Sequence, residues 1–473
     1  MGRSIGSLGK AILPAGMALL VLVAGAEGAG SPSRWTRFGY DAQRSNHVAT
    51  STGITAANVS RLVRRSIVLD GTVDSSPILA GGFVVVTTGY GKAIALDAAT
   101  GRVRWRFTPP RYSSWAGTYR ITNSSPVSDG RFVWTAAPDG RVYKLVLATG
   151  RQVTSRGWPA TVTRLPTREK LGTALNLSRG RVIVTAGGFN GDQPPYQGHV
   201  VALDARSGRI EGVFNALCSE RKALQAPGTC VESGAAIWAR SGAVVEPATG
   251  NLLVATGDGK WDGRRHWGDS VLLLSPDARR LLQAWTPANQ ADLESGDVDL
   301  GSTAPVILPE RLVLQSGKDA IMRVLDLRHL NGRGGARAVT GGEVQTLPTP
   351  GDTGLFTAPA VSGRLVFVAD GNATAAYRLE GRRLRLIWRV GVAGTSPVVA
   401  GGLLYVYDPG GGLNVYVPDT GRLLARLPAG PGHWSSPIVA AGRVYLPEGS
   451  ANDHAASGVL DIYEPRVAPP TSE

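Results

Sequence analysis

The sequence predicts an all-β chain folded as a single eight-bladed β-propeller of four-stranded antiparallel blades. Three observations carry this expectation. The 473 residues include 62 Gly and 30 Pro, about one residue in five against a usual share of about 12%, so long helices are interrupted almost everywhere. A unit of four short apolar runs separated by Gly-containing turns recurs at 75–107, 123–153 and 395–427, and such runs read as strands joined by tight turns. Looser copies begin near Ala174, Ala236, Thr303, Thr357 and Ser435, which makes eight units. One four-stranded sheet exposes two apolar faces, and eight of them bury those faces by stacking around an axis.

Taken in order, the chain begins with Arg3 and Lys10 flanking an apolar stretch from Ala11 to Ala26 that Pro14 interrupts. The stretch is shorter than the about 20 residues a spanning helix needs, and Ala24 and Ala26 form an A-x-A cleavage pattern. Residues 1–26 are therefore expected to be a signal peptide, the propeller to occupy 27–465, and a tail to follow at 466–473. Export to the periplasm, the cell envelope or the outside follows. The absence of a cysteine near the cleavage pattern argues against a lipoprotein.

Residues 61–69, RLVRRSIVL, precede the first complete unit and are expected to supply the outer strand of the last blade, whose own unit stops at Tyr463. Within the units, Trp105, Trp285 and Trp388 fall on last strands, where a flat ring can stack on the next blade, and Trp134 falls on a middle strand. The runs VVVTT, RLVFVAD and LLYVYD are nearly continuous in apolar residues, as strands sandwiched between sheets should be. Asp97 and Asp204, each followed by a turn ending in Gly, read as turn-binding carboxylates.

Composition excludes several functional classes. Two cysteines cannot build a disulfide-rich scaffold, a four-cysteine zinc site or an iron–sulfur cluster, and no C-x-x-C-H sequence is present for covalent haem. In an oxidising compartment Cys218 and Cys230 are expected to pair. The formal net charge of +14 is scattered over arginine clusters at Arg61, Arg64 and Arg65, at Arg264 and Arg265, and at Arg382, Arg383 and Arg385. No aromatic-interleaved basic stripe of a nucleic-acid binder emerges. His199, His266, His329, His433 and His454 show no metal-ligand spacing and are expected to be solvated or hydrogen-bonded.

The string ALDAATGRVRW at 95–105 resembles the tryptophan-docking repeat of the quinoprotein propellers, the superfamily of dehydrogenases that bind pyrroloquinoline quinone. The segment WTRFGYDAQRSNHVATSTGITAANVSRL at 35–62 is similar to that family's lead-in. The resemblance implies a quinone on the propeller axis, a Ca²⁺ held by a Glu and an Asn, an Asp as base, a cation near the quinone oxygens, a Trp floor and two adjacent bridged cysteines. Hard oxygen ligands suit Ca²⁺, which polarises a carbonyl that must accept hydride.

Carried over by motif, EPATGNLLVATGDGKWDG (246–263) puts Asp258 where the Asn ligand is expected. AWTPANQADLESGDVDLGSTAPVI (284–307) offers Asp299 as the base, with Asp297 next to it. QSGKDAIMRVLDL (315–327) puts Lys318 in the cationic role, and GAAIWARSG puts Trp238 near the floor. Taken singly, each acid reads as a turn or loop residue and Lys318 as half of a hairpin pair. Their joint placement after matching strands of successive blades sets them on one rim of the axis.

Two departures from the family pattern stand out. In AGGFNGDQPPYQGHVVALD (186–204), Phe189 falls where the Glu ligand is expected, leaving Asp192 or Glu232 to replace it. The adjacent-cysteine bridge is absent, since Cys218 and Cys230 are far apart. Two functions are therefore expected to compete. One is a dehydrogenase of alcohols or sugars that uses pyrroloquinoline quinone and Ca²⁺ and passes electrons to an external acceptor. The other is a non-catalytic envelope scaffold, like the superfamily's outer-membrane assembly lipoprotein, that holds a protein or polymer. A monomer is expected in either case.

Overall fold

The computed structural model describes residues 34–189, 191–333 and 337–466. The expected signal peptide, and all of the expected tail except Arg466, lie outside the described residues. The first repeat becomes four antiparallel strands in sequential order, Ile78–Ala80, Phe83–Thr87, Ala93–Asp97 and Val103–Phe107. Asp97 stops its strand by accepting hydrogen bonds from the Ala99 and Thr100 backbone and the Thr100 hydroxyl, the turn role read from the sequence. Asp204 does the same through Ser207.

Eight sheets of four or five strands result. Their inner strands are Ile78–Ala80, Val127–Ser128, Asn176–Ser178, Val244–Val245, Val306–Leu308, Ala360–Ser362, Val398–Ala400 and Ile438–Ala440. The last blade takes its outer strand from the start of the chain. Val63–Leu69 pairs antiparallel with Gly458–Glu464 along its whole length, as the sequence predicts. Arg64 bolts this seam, 2.8 Å from Asp461 and 2.9 Å from Glu448.

Two devices hold blade to blade. The first is tryptophan docking: Trp105 and Trp388 each donate Nε1–H to a carbonyl of the following blade, at Leu147 and Pro418, over 2.7 Å. Their rings lie against Gly150 and Gly421, where an added Cβ would come within 2.6 Å of the indole. Trp158 docks on Gly208 in the same way, a contact the repeat comparison did not foresee because Trp158 follows its strands at a distance. The second device is the one or two hydroxyl side chains that stand just before a proline in the repeats. Ser75, Thr357 and Ser435 donate within their own blades to Thr87, Ala369 and Pro447 carbonyls. The next position links blades, with Ser76 Oγ 2.8 Å from Ser436 Oγ and Ser125 Oγ accepting from Ser76 N–H.

The lead-in closes one end of the axis. Its carbonyls accept hydrogen bonds from inner-strand N–H groups: Trp35 from Leu79, Thr36 from Ser128, Ala42 from Val245, Ser45 from Val361 and Asn46 from Val399. Arg44, 2% exposed, donates to the carbonyls of Phe38, Ala174 and Leu175, which offsets the cost of burying a guanidinium. The lead-in thus straps five of the inner strands at their far ends.

Cys218 and Cys230 form the expected disulfide. No helix among the described residues is long and apolar enough to cross a membrane.

Candidate functional site

A cavity of about 320 Å³ lies where the segments leading into the inner strands converge, within the about 300–1,000 Å³ typical of small-molecule sites. Asn123, Lys170, Trp238, Asp299, Phe356 and Trp434 line it, one residue from each of six blades. That distribution puts the cavity on the axis.

One part of the wall, at Asp299, borders an acidic cluster. Asp258, Asp297 and Asp299 bring carboxylate oxygens within 4.8 Å of one another. Asp299 is buried while Asp297 is exposed. The turn carrying Asp299 follows the short helix Gln290–Ser295 and is fixed by the Leu300 N–H, which donates to Asp269 Oδ1 at 3.1 Å. Gly257 leaves no room for a side chain because the Asp299 carboxylate fills that space. The Asp258 N–H donates to Asp299 Oδ1 at 2.9 Å. Lys318 Nζ stands 2.5 Å from Asp299 and 3.0 Å from Asp297.

Charge in this cluster is unbalanced. Burial, reinforced by the Asp299 carboxylate, pushes the Asp258 carboxyl up to about 8. Burial and Asp299 also raise Asp192, and burial takes Asp269 to about 8. Burial alone would lower the Lys318 ammonium, but its aspartate partners outweigh that and raise it. One ammonium thus serves several crowded carboxylates, and like charges in a partly desolvated site drive protonation unless a cation arrives.

A second part of the wall is aromatic. Trp238, Phe356 and Trp434 have ring centroids 6.0 to 6.1 Å apart, and Lys318 Nζ lies 5.8 Å from the Trp238 ring. Behind Trp434 sits Asp74, fully buried. It accepts from Asn123 Nδ2 at 2.5 Å, the Trp434 N–H at 3.1 Å and the Ala451 N–H at 3.1 Å. His433 Nδ1 lies 2.8 Å away and Arg240 3.7 Å. Burial would raise this carboxyl, yet His433 and Arg240 outweigh it and hold it below the usual range. His433 in turn stacks on Trp434 at 4.1 Å.

The structure therefore gathers Asp258, Asp297, Asp299, Lys318 and Trp238, drawn from two stretches before inner strands and two loops beyond. Asp192 lines the cavity together with Asp299, Lys318 and Trp238, and Asp258 and Asp297 adjoin it through Asp299. Phe189 also lines it and packs edge-on against Tyr119 at 5.5 Å, so the expected Glu position is apolar. Glu232 is not among the lining residues, and neither are Cys218 and Cys230.

Sequence reasoning missed Asp74, Asn123, Lys170, Phe356 and Trp434, and left His433 as an unremarkable hydrogen-bonding residue. A signal for four of them was available. Aligned on the hydroxyl-bearing tripeptide that ends in proline, Asp74, Asn123, Phe356 and Trp434 occupy one register, three residues before the proline. Lys170 has no such marker, because it sits on an extra strand, Glu169–Lys170, that the other repeats lack.

An axial cavity combining carboxylates, a cation and an aromatic floor in an eight-bladed ring defines the quinoprotein class of propeller. Residues 35–268 match the family model for the β-propeller domain of the pyrroloquinoline quinone glucose/ethanol/alcohol dehydrogenases. This stretch carries that family's β-propeller domain in a divergent form. It is 24% identical over 290 residues to the quinohemoprotein alcohol dehydrogenase ADH IIB of Pseudomonas putida, covering 54% of this chain and 40% of that one. The chain spans about two fifths of the length of such curated relatives. Among solved structures, the quinohemoprotein alcohol dehydrogenase of Comamonas testosteroni superposes with a TM-score of 0.71 at 16% identity, over 94% of this chain and 83% of that one. BamB of Moraxella catarrhalis superposes with a TM-score of 0.54 at 13% identity, over 85% and 97%. These superpositions show the fold.

Proposed function

We propose that the protein is an exported dehydrogenase of alcohols or sugars that uses pyrroloquinoline quinone and Ca²⁺. The observation that carries this reading is the cluster of Asp258, Asp297 and Asp299 carboxylates beside Lys318 at the edge of an aromatic-floored axial cavity. The residues present suit both groups. Crowded carboxylates with too few positive charges fit a hard divalent cation, with Asp258 and Asp192 as its holders and Asp299 beside them. The Trp238, Phe356 and Trp434 faces fit a flat ring system.

When bound, the quinone supplies the hydride acceptor and the cation an electrophile for its carbonyl. The chain's own residues do the rest. Asp299, inside the cavity, takes the proton of the substrate hydroxyl as a general base, while Asp297, on the exposed side, holds Lys318 in place. Lys318 keeps a positive charge against the reduced cofactor's oxygens. The aromatic walls exclude water from the reacting carbon. An external acceptor would take the electrons.

Adding pyrroloquinoline quinone with Ca²⁺ to the purified protein tests the proposal. The expected result is a shift in the quinone absorption, a rise in Tm and reduction of a redox dye with an alcohol panel. Failure of all three overturns it. A cofactor-free envelope scaffold is the second reading, favoured by Phe189 in place of a ligand carboxylate. It expects capture of its protein or polymer partner to survive in an Asp258→Ala, Lys318→Ala double variant.

A further inference from the structure

Two lysines line the axial cavity, and they differ in one respect. Lys318 is committed to Asp297 and Asp299. The Lys170 ammonium makes no hydrogen bond or ion pair among the described residues, although the residue lines the same cavity. The acid that acts on it most strongly, Asp74, is already taken by Asn123, His433, Arg240 and two backbone N–H groups. Burial lowers the Lys170 ammonium to about 8, with Arg240 adding repulsion and Asp74 and Asp192 compensating only in part. A cation in that state lacks a counter-charge, and a ligand carboxylate would supply it through a charge-assisted hydrogen bond.

The chain fixes where this ammonium points. Glu169, the preceding residue on the same two-residue strand, faces the other way, as alternation requires. It is anchored in the core by the Thr163 hydroxyl and the Gln197 N–H. The Lys170 stem then lies along Gly172, where an added Cβ would stand 3.1 Å from its Cε. Beside it, the rings of Phe356 and Trp434 stack at 6.0 Å with planes 17° apart, and Asp74 fixes Trp434 through its N–H.

We infer that Lys170 is an anion-binding residue of this cavity and that the cavity takes a flat aromatic polycarboxylate, its ring on the Trp434 side and a carboxylate on Lys170. The inference rests on the dehydrogenase reading only for identifying that ligand as pyrroloquinoline quinone.

Tryptophan fluorescence quenching tests it with three probes: pyrroloquinoline quinone, quinoline-2,4-dicarboxylate and unsubstituted quinoline. Lys170→Met is expected to weaken both carboxylated probes by about tenfold or more and to leave unsubstituted quinoline within about twofold. Lys170→Arg is expected to stay within about threefold of the original chain for all probes. Thermal melts confirm folding, with Lys170→Gln as the alternative neutral variant should the Met variant not fold. Equal affinity of the original and neutral variants for the carboxylated probes overturns the role of Lys170 and leaves the quinone reading standing. Lys170-dependent binding of the dicarboxylate without binding of the quinone does the reverse. Absence of binding by both carboxylated probes overturns both.

Discussion

Acids stand on two sides of the axial cavity, and their charge is handled in opposite ways. Asp74 is surrounded by donors: Asn123, His433, Arg240 and the backbone of Trp434 and Ala451. Its carboxyl lies below the usual range. Asp258 faces Asp299 and Asp192, shares one lysine with them indirectly, and rises to about 8. A saturated carboxylate is a structural bolt, since every lone pair has a use inside the fold. An undersupplied group of carboxylates is a receptor, since folding leaves it short of positive charge.

The largest expected contrast is catalytic. Asp299→Asn should lower dye-linked alcohol oxidation in the quinone- and Ca²⁺-loaded protein by about 10²–10⁴-fold, the usual weight of a general base, with little change in Tm. An Asp299→Asn enzyme that keeps full turnover would remove this aspartate from the chemistry. Asp74→Asn should do the opposite in kind, unfolding the protein more easily by about 3–5 kcal/mol because Arg240 is left buried without its charge partner. Chemical denaturation measures it, and an unchanged midpoint would put Asp74 in the same class as the acidic cluster.

Asp258→Asn sharpens the comparison from the other side. Removing one of the crowded charges should stabilise the metal-free protein at pH 8 to 9 by on the order of 1–3 kcal/mol, and should abolish the Tm rise that Ca²⁺ gives the original chain. Loss of stability in the metal-free variant would show that the charge is not strained.

A smaller effect is expected at the ring seam, where Glu448 is intermediate between the two cases. Burial, then its neighbour Asp461, raises it to about 7, although Arg64 and the Gly430 N–H both oppose the rise. A raised acid keeps its proton in the folded state while the unfolded chain has lost it. Its stabilising contribution is thus full below about pH 4.5 and is lost as pH rises through about 7. Glu448→Gln should flatten the fall in Tm between those values by the equivalent of about 1–2 kcal/mol. An unaltered pH profile would assign the seam to Asp461 and Arg64 alone.

Much of this was legible in the residues. The repeat showed the blades and the seam strand, because every blade must solve the same burial problem and therefore reuses the same spacing of apolar runs and turns. Trp105, Trp285 and Trp388 were readable on last strands for the same reason, and Asp258, Asp299 and Lys318 through their motifs. Trp158 and Lys170 were not, since each lies outside the repeating register. Asp74 shares the register of Asn123, Phe356 and Trp434, but its role was not readable, as its partners come from segments up to 377 positions away.

The sequence alone determined the number of blades, the closing strand, the disulfide partners and the motif positions of the acids, all properties set by local pattern or by pairing a repeat with itself. Only the tertiary structure decided which acids are saturated and which are short of charge, that Phe356 and Trp434 share a floor with Trp238, and that the Lys170 ammonium is left without a partner. Those facts depend on distances across the axis between blades remote in sequence, and charge balance in a buried site is a sum over all of them at once.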